Sequence, residues 1–274
     1  MTKFLSLIFL LPFFGFSQNF ESFKNLNETQ KQEVLKILQD DSQASLFSIK
    51  HQKNLDKLLE FMPNEAFLWQ QKAMPLFKQR KYELGMQYLD KAVALDKTNH
   101  YREYRAFIKC AFQKNYQEAL REFFELSKTR EDGVVMDHPY TFWMALCYLQ
   151  MNDFDQAKLY LNKTLAFSVK HSISNPYEYF YQGIVAFETR KYQDAIGFFN
   201  QSLKEYPNFS DAKYYKSISL MMLNKVDEAK SLLSESETDF RNSYTFIEAN
   251  SIYEPSPYQV SAYIFEYTKT LFNR

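Results

Sequence analysis

Four histidines (His51, His100, His138 and His171) and two cysteines (Cys110 and Cys147) are the side chains of this chain best suited to metal binding or nucleophilic attack. Histidine beside carboxylates can hold zinc, and a thiol or hydroxyl beside a base can attack a carbonyl. Neither chemistry has its spacing here, because no H-E-x-x-H and no G-x-S-x-G occurs. His138 and His171 do fall in two connecting stretches, near Asp132 and Asp137, but wet loops collect such residues for solubility alone. Pairs such as Glu131-Asp132 read as solvated surface. With 5 Gly in the chain there is no glycine-rich loop to cradle a phosphate. The sequence therefore predicts no catalytic residue, no metal site and no cofactor.

The side chains in excess are aromatic. The chain holds 27 Phe and 20 Tyr and is 18% aromatic, more than a plain helical core requires. These residues recur in phase. Tyr82, Tyr116, Phe154, Tyr192 and Val226 open five similar phrases, at intervals of 34, 38, 38 and 34. Three residues after each comes a small one: Gly85, Ala119, Ala157, Ala195 and Ala229. Four further on comes a bulky apolar one: Leu89, Phe123, Leu161, Phe199 and Leu233. Steps of three and four place all three on one helical face, where the small residue lets another helix approach.

Each phrase is preceded by a second apolar-periodic segment. The clearest is NPYEYFYQGIVAFETR, in which Pro176 starts a helix and Gly183 is the small residue. Ala73, Ala145 and Ser217 take that place in three other units, and Phe107 in the second. Every unit thus reads as helix, short turn, helix. One such hairpin cannot bury its apolar face alone, so neighbours must stack.

The period of 34, Trp69 or Tyr179 four residues before the small residue, the [YF]-x-x-[AG] step and Pro207 closing a unit together resemble tetratricopeptide repeats. Five units cover residues 64–239. The resemblance implies an all-α, right-handed solenoid of stacked helix-turn-helix repeats with helical caps. It also implies a chain that acts by binding protein rather than by catalysis. Residues 18–63 are expected to supply N-terminal capping helices or a degenerate repeat, since LDKLLEFMPN ends like a second helix. Residues 240–274 should form an extended segment and a capping helix. That helix is expected to begin at Ser256-Pro257 and to carry Val260, Tyr263, Ile264, Tyr267 and Leu271 on one face. Insertions near 126–139 and 168–176 account for the two longer intervals and should project from one edge.

In tetratricopeptide arrays the first helices line the concave surface, and here the resemblance assigns that surface unit by unit. It comprises Gln70, Met74 and Phe77; Tyr104, Ile108 and Phe112; Phe142, Leu146 and Leu149; Phe180, Ile184 and Phe187; and Tyr214, Ile218, Met221 and Met222. Lys78, Arg102, Arg105 and Glu188 form its polar rim. A groove facing only water would be polar, and this one is aromatic and aliphatic. Two occupants suit it. One is an apolar or aromatic peptide or helix of a partner protein. The other is the chain's own C-terminal helix, the array then serving as a structural subunit or spacer of an envelope complex. The Lys, Arg and Asn clamp by which some tetratricopeptide domains hold peptide C-termini is not matched, Gln70 and Arg105 being the nearest polar residues. Self-association stays open. So does pairing of Cys110 with Cys147, each lying in an apolar helical pattern where a free thiol acts as a small core residue.

Lys plus Arg number 33 and Asp plus Glu number 33, so the net charge is zero and a nucleic-acid partner is not expected. The N-terminus, MTKFLSLIFLLPFFGFSQ, has Lys3, an apolar run from Phe4 to Phe16, and small residues at Gly15 and Ser17. That is the layout of a secretory signal, residues 1–17, cleaved after Ser17. The run falls short of the roughly 20 apolar residues a membrane span needs, and no later stretch is a candidate. The mature chain is expected to be exported to the periplasm or cell envelope.

Overall fold

The structure, a computed structural model, describes residues 21–272. The secretory signal read at residues 1–17, with its cleavage after Ser17, lies outside the described residues. The helices are α1 (Glu21–Lys24), α2 (Glu28–Asp41), α3 (Ile49–Phe61), α4 (Ala66–Lys78), α5 (Tyr82–Leu95), α6 (His100–Ala111), α7 (Tyr116–Ser127), α8 (Tyr140–Gln150), α9 (Phe154–His171), α10 (Pro176–Glu188), α11 (Tyr192–Glu205), α12 (Ser210–Met222), α13 (Val226–Arg241) and α14 (Ala262–Phe272). A single two-stranded hairpin among the described residues, β1 (Val134–Val135) with β2 (His138–Pro139), stands between α7 and α8. The expected all-α class, built of helix-turn-helix pairs packed in sequence, is what the structure shows. The chain divides into two compact units, one ending at Arg105 and one starting at Ala106.

In the first unit α2 opens with a reciprocal cap. The Asn27 side chain accepts from the Gln30 N–H, and the Gln30 side chain accepts from the Asn27 N–H. Ser48 caps α3 by accepting from the His51 N–H. These caps fix where each helix begins, so that Val34, Ile37 and Leu38 meet Leu55, Leu58 and Leu59 in one core. In α4, Trp69 donates its indole N–H to the Pro63 carbonyl at 2.8 Å, and the Lys91 ammonium sits 4.2 Å over its ring.

In the second unit the hairpins α8–α9, α10–α11 and α12–α13 follow one another. The small residues of the repeat, Ala119, Ala157, Ala195 and Ala229, are all 0% exposed, as close helix crossings require. The turn inside each hairpin marks the period independently. Arg80, Lys114, Asn152, Arg190 and Asn224 all have φ between 58 and 62°, and they too are spaced 34, 38, 38 and 34 apart. In four of these turns, those at Arg80, Asn152, Arg190 and Asn224, the next N–H closes on a carbonyl five residues back, as in Lys191 to Ala186 at 2.8 Å. Glycine usually fills this left-handed place after a helix. This chain fills it with Arg, Lys and Asn.

The two insertions are absorbed differently. The first becomes the β1–β2 hairpin, where Met136 and Asp137 both have positive φ, 48 and 63°, the combination a two-residue hairpin turn needs. The second lengthens α9 to 18 residues, which end at Ser172 in the left-handed region. Their ends meet at one edge through the Lys170–Asp132 ion pair.

The C-terminal helix differs from expectation. It starts at Ala262 rather than at Ser256-Pro257, because Tyr258 has φ 63° and the Val260 N–H is taken by the Asp211 carboxylate. Its buried face carries Phe265 and Thr268, while Tyr263 and Tyr267 are 77% and 51% exposed. Phe265 packs on Tyr214 and Phe240, and Thr268 shares a 2.7 Å hydrogen bond with the Tyr214 hydroxyl. This contact seats α14 on the last hairpin.

Two glycines with opposite surroundings test the close packing of the stack. A Cβ on Gly183 would fall 2.4 Å from the fully buried Phe199 ring, whereas one on Gly197 would meet nothing within 4 Å. Gly183→Ala is expected to destabilise the fold by about 1–3 kcal/mol through overpacking. Gly197→Ala is expected to stabilise it by about 1 kcal/mol through helix propensity. Urea midpoints followed by circular dichroism should move in opposite directions.

Candidate functional site

Within each unit, most residues assigned to the concave surface are packed or half-buried. In the first unit Gln70, Met74 and Tyr104 are half-buried, and Phe77 is core, its ring against Gly85. In the second unit Ile108, Phe180 and Ile184 are 0% exposed. Phe112, Phe142, Leu146, Leu149 and Tyr214 are buried, Phe187, Ile218 and Met221 are half-buried, and Met222 is exposed. The Phe180 ring meets Phe199, Phe209 and Phe246, so this position is packing rather than an open contact surface. The rim residues also have partners. Arg105 donates to Asp90 at 2.8 Å in the first unit, where Lys78 and Arg102 are half-buried, and Glu188 of the second unit accepts from the Tyr258 hydroxyl at 2.8 Å.

What covers the wall in the second unit is the connection between α13 and α14. This strap leaves α13 through Ser243, at φ 66°, and its Tyr244 carbonyl accepts from the Ser210 N–H at 2.9 Å, next to Asp211 at the start of α12. Thr245 donates its hydroxyl to Asp211 Oδ2 at 2.7 Å, and at the far end the Val260 N–H donates to Oδ1 at 2.7 Å. One carboxylate thus ties both ends of the strap. Between them, tyrosine hydroxyls handle the main chain. Tyr206 donates to the Thr245 carbonyl at 3.3 Å, Tyr177 accepts from the Ile247 N–H at 3.0 Å, and Tyr181 donates to the Pro257 carbonyl at 3.1 Å. Phe246 enters the ring cluster, stacked on Tyr177 with centroids 4.9 Å apart.

The β1–β2 hairpin supplies the other fixed point. It aims His138 inward, where the imidazole stacks on Phe142 at 4.0 Å and is 1% exposed. The Trp143 indole holds the hairpin by donating to the Val135 carbonyl at 3.0 Å. Asn175 donates to His138 Nδ1 at 3.4 Å, which leaves the ring proton on Nε2 to be donated to Glu248 of the strap at 2.7 Å. His171 is not brought to His138; it lies exposed beside Asp132, 3.9 Å away. Cys110 and Cys147 are free and buried, and burial together with the neighbouring Cys110 thiol pushes the Cys147 thiol up, the reverse of nucleophile activation. Among the described residues no group of three or more His, Cys, Asp or Glu is placed to hold a metal.

Two spaces border these elements. A 70 Å³ cavity lies under the strap, lined by Cys110, Trp143, Leu146 and Ser251 among others. A larger cleft of 420 Å³ separates the inner face of α12 from α14 and is lined by Phe187, Tyr215, Ile218, Met222, Tyr267 and Leu271 among others. Sequence reading assigned several of these residues but missed Asp211, Phe246 and Glu248. The one sequence signal for them was length: a connection of this length inside a compact domain is uncommon unless it has a task of its own.

Burial raises the Asp211 carboxyl from 3.8 to about 6, against the hydrogen bonds from Val260 and Thr245, which act to lower it. A folded-state value above the unfolded one means the native protein binds this proton more tightly. The resulting stabilisation is complete below about pH 4 and is lost as pH rises through about 6. Urea unfolding at pH 4, 5, 6 and 7 is expected to show the stability of the wild type relative to Asp211→Asn improving by roughly 2–3 kcal/mol from the top to the bottom of that window. The difference between the two proteins isolates Asp211 from Asp40, Asp132 and Glu237, whose lowered values act in the other direction.

Residues 141–166 and 179–208, on α8–α9 and α10–α11, match the family model of the tetratricopeptide repeat. None of the curated proteins matches the chain in sequence. Among solved structures, a tetratricopeptide repeat protein from Parabacteroides merdae shares 15% identity over 80% of this chain and 80% of its own, with a TM-score of 0.61. PilW, a type IV pilus biogenesis factor, shares 12% over 83% of this chain and 99% of its own, at 0.60. Pseudomonas aeruginosa PilF shares 19% over 77% of this chain and 95% of its own, at 0.55. At such identities the likeness is one of fold, and that fold is the stack of tetratricopeptide hairpins, with the family's own sequence pattern in its third and fourth units.

Proposed function

We propose that the chain is a protein-interaction scaffold of the tetratricopeptide kind, exported to the periplasm or cell envelope, that holds an apolar or aromatic peptide or helix of a partner protein. The observation that carries this reading is the 420 Å³ cleft beside α12. Its mouth exposes Met222, Tyr267 and Leu271 at 56%, 51% and 44%. Apolar side chains clustered at an open cleft mark a partner site more often than a bare surface. Met221 and Met222 give the lining an unbranched, adaptable edge that can mould to different apolar side chains. The secretory layout of residues 1–17 supports export. A second reading, a structural subunit with its inner wall already filled, is favoured by the strap over that wall, which is the connection between α13 and α14 and not the C-terminal helix.

Peptide-display selection on the purified full chain tests the cleft. Enriched sequences are expected to carry large apolar or aromatic residues. Met222→Glu and Leu271→Glu, both at exposed positions, are expected to weaken their binding at least 10-fold, about 1.4 kcal/mol. Enriched peptides indifferent to both changes would take the cleft out of the function. Intact mass of the chain recovered from the envelope of expressing cells is expected to place the mature start at Gln18, and retention of residues 1–17 would contradict cleavage.

A further inference from the structure

We infer that the inner wall of the second unit is a recognition site for peptides carrying a phenylalanine and, two residues on, a carboxylate, and that residues 245–260, a looped strap with turns at 249–254 and 257–258, are its resident occupant, exchangeable for a partner's segment of that chemistry. The inference rests on the reading of the chain as a peptide-binding scaffold, but it concerns a different surface from the cleft.

The wall reads its occupant at two levels, as peptide-binding sites do. Main-chain groups of Thr245, Ile247 and Pro257 are met by the hydroxyls of Tyr206, Tyr177 and Tyr181, contacts that do not depend on the identity of the side chains there. Side chains are met selectively. Phe246, 5% exposed, sits among Tyr177, Phe180 and Phe209 with centroid separations of 4.9, 5.4 and 5.1 Å. Glu248, two residues on, accepts a 2.7 Å hydrogen bond from Nε2 of the buried His138 ring, which Asn175 and Phe142 hold in place. An imidazole N–H aimed at that position favours a carboxylate, the strongest acceptor among side chains.

The occupant is held less completely than the wall that holds it. The strap makes no strand ladder and contributes no helix. Its largest aliphatic side chains, Ile247 and Ile252, are 73% and 79% exposed. Beneath it lies the 70 Å³ cavity, lined by Trp143 and Leu146 of the wall and by Ala249, Ser251 and Pro257 of the strap. Tethering gives the strap a high effective concentration, so a competing segment must fit better, and a longer apolar side chain over this cavity is the way to do so.

A fluorescent synthetic peptide of residues 244–260 is titrated into the full-length wild type and into the full chain carrying Phe246→Ala with Glu248→Ala, which loosen the strap and leave the wall intact. The loosened chain is expected to take the peptide at least 10-fold more tightly than the wild type, and a peptide with alanine in place of its phenylalanine is expected to lose at least 10-fold. A loosened chain that keeps its helical signal and does not take the peptide overturns the inference. A loosened chain that dimerises instead assigns the wall to a second copy's strap and also overturns it. If the loosened chain does not fold, hydrogen exchange of the wild type decides. The amides of Ile247 and Val260 are expected to exchange at least 10-fold faster than those within residues 180–186, and exchange in step with them overturns the inference. Met222→Glu and Leu271→Glu should leave the affinity for this peptide unchanged, so failure at the cleft and failure at the wall are read separately.

Discussion

The second unit depends on one buried carboxylate. Asp211 is 0% exposed, and both its oxygens are spent on the strap, one at each end. Burying a charge is expensive, and no cation pairs with it among the contacts that shift its acidity. Its position offsets part of that cost. It stands in the first turn of α12, where the helix dipole favours negative charge, and the hydrogen bonds it accepts are of the charge-assisted kind. Burial still outweighs these gains for the charged form, which is why its pKa is raised and its acidity weakened. A carboxylate kept in so unfavourable a place implies that the geometry it enforces is worth the loss. That geometry is the closure of a long connection into a loop whose two ends meet.

The aromatic excess follows from the same arrangement. Part of it is ordinary stacking, with Phe199 under Gly183 and Phe77 under Gly85 at the hairpin crossings. The tyrosines on the wall have a different reason to be there. A phenylalanine at 177, 181 or 206 would pack equally well but would leave the strap's main-chain groups unpaired, and a buried unpaired amide costs more than a hydrogen bond contributes. Tyrosine supplies ring and hydroxyl together, so one side chain both closes the core and meets the peptide group above it. The wall is therefore apolar in bulk and polar at points.

How much of this the sequence foretells depends on the range of the interaction. The repeat phase is a local property, and Tyr82, Tyr116, Phe154, Tyr192 and Val226 announce it without any tertiary knowledge. The left-handed turn residues then fall at the same spacing. The fate of the stripe is not local. Phe180 and Phe187 belong to one helical face, yet the first is core, with Phe246 of the strap against its ring, and the second borders an open cleft. The contacts that decide this join residues far apart, His138 with Glu248 across 110 positions and Tyr181 with Pro257 across 76. No periodicity encodes such pairs. The start of the C-terminal helix was misplaced for the same reason, since the Ser256-Pro257 cap signal is overridden by the hold of Asp211 on Val260.

Strap and cleft together describe a wall divided between an occupied part and an open part. A stack of hairpins exposes an inner face whose apolar residues are unavoidable, because the first helices must pack on one another through the same side chains. A chain can leave that face to a partner or cover it with its own tail. Here the tail covers α8 and α10 with a segment that offers one ring, one carboxylate and its backbone, then places a helix beyond the cleft so that Met222 and Leu271 stay in water. Had the tail served only to shield apolar surface, a helix laid along the whole face would have buried more of it with fewer long-range hydrogen bonds. A looped segment held at three of its peptide groups sacrifices buried area for main-chain readout, and main-chain readout is what makes one peptide replaceable by another.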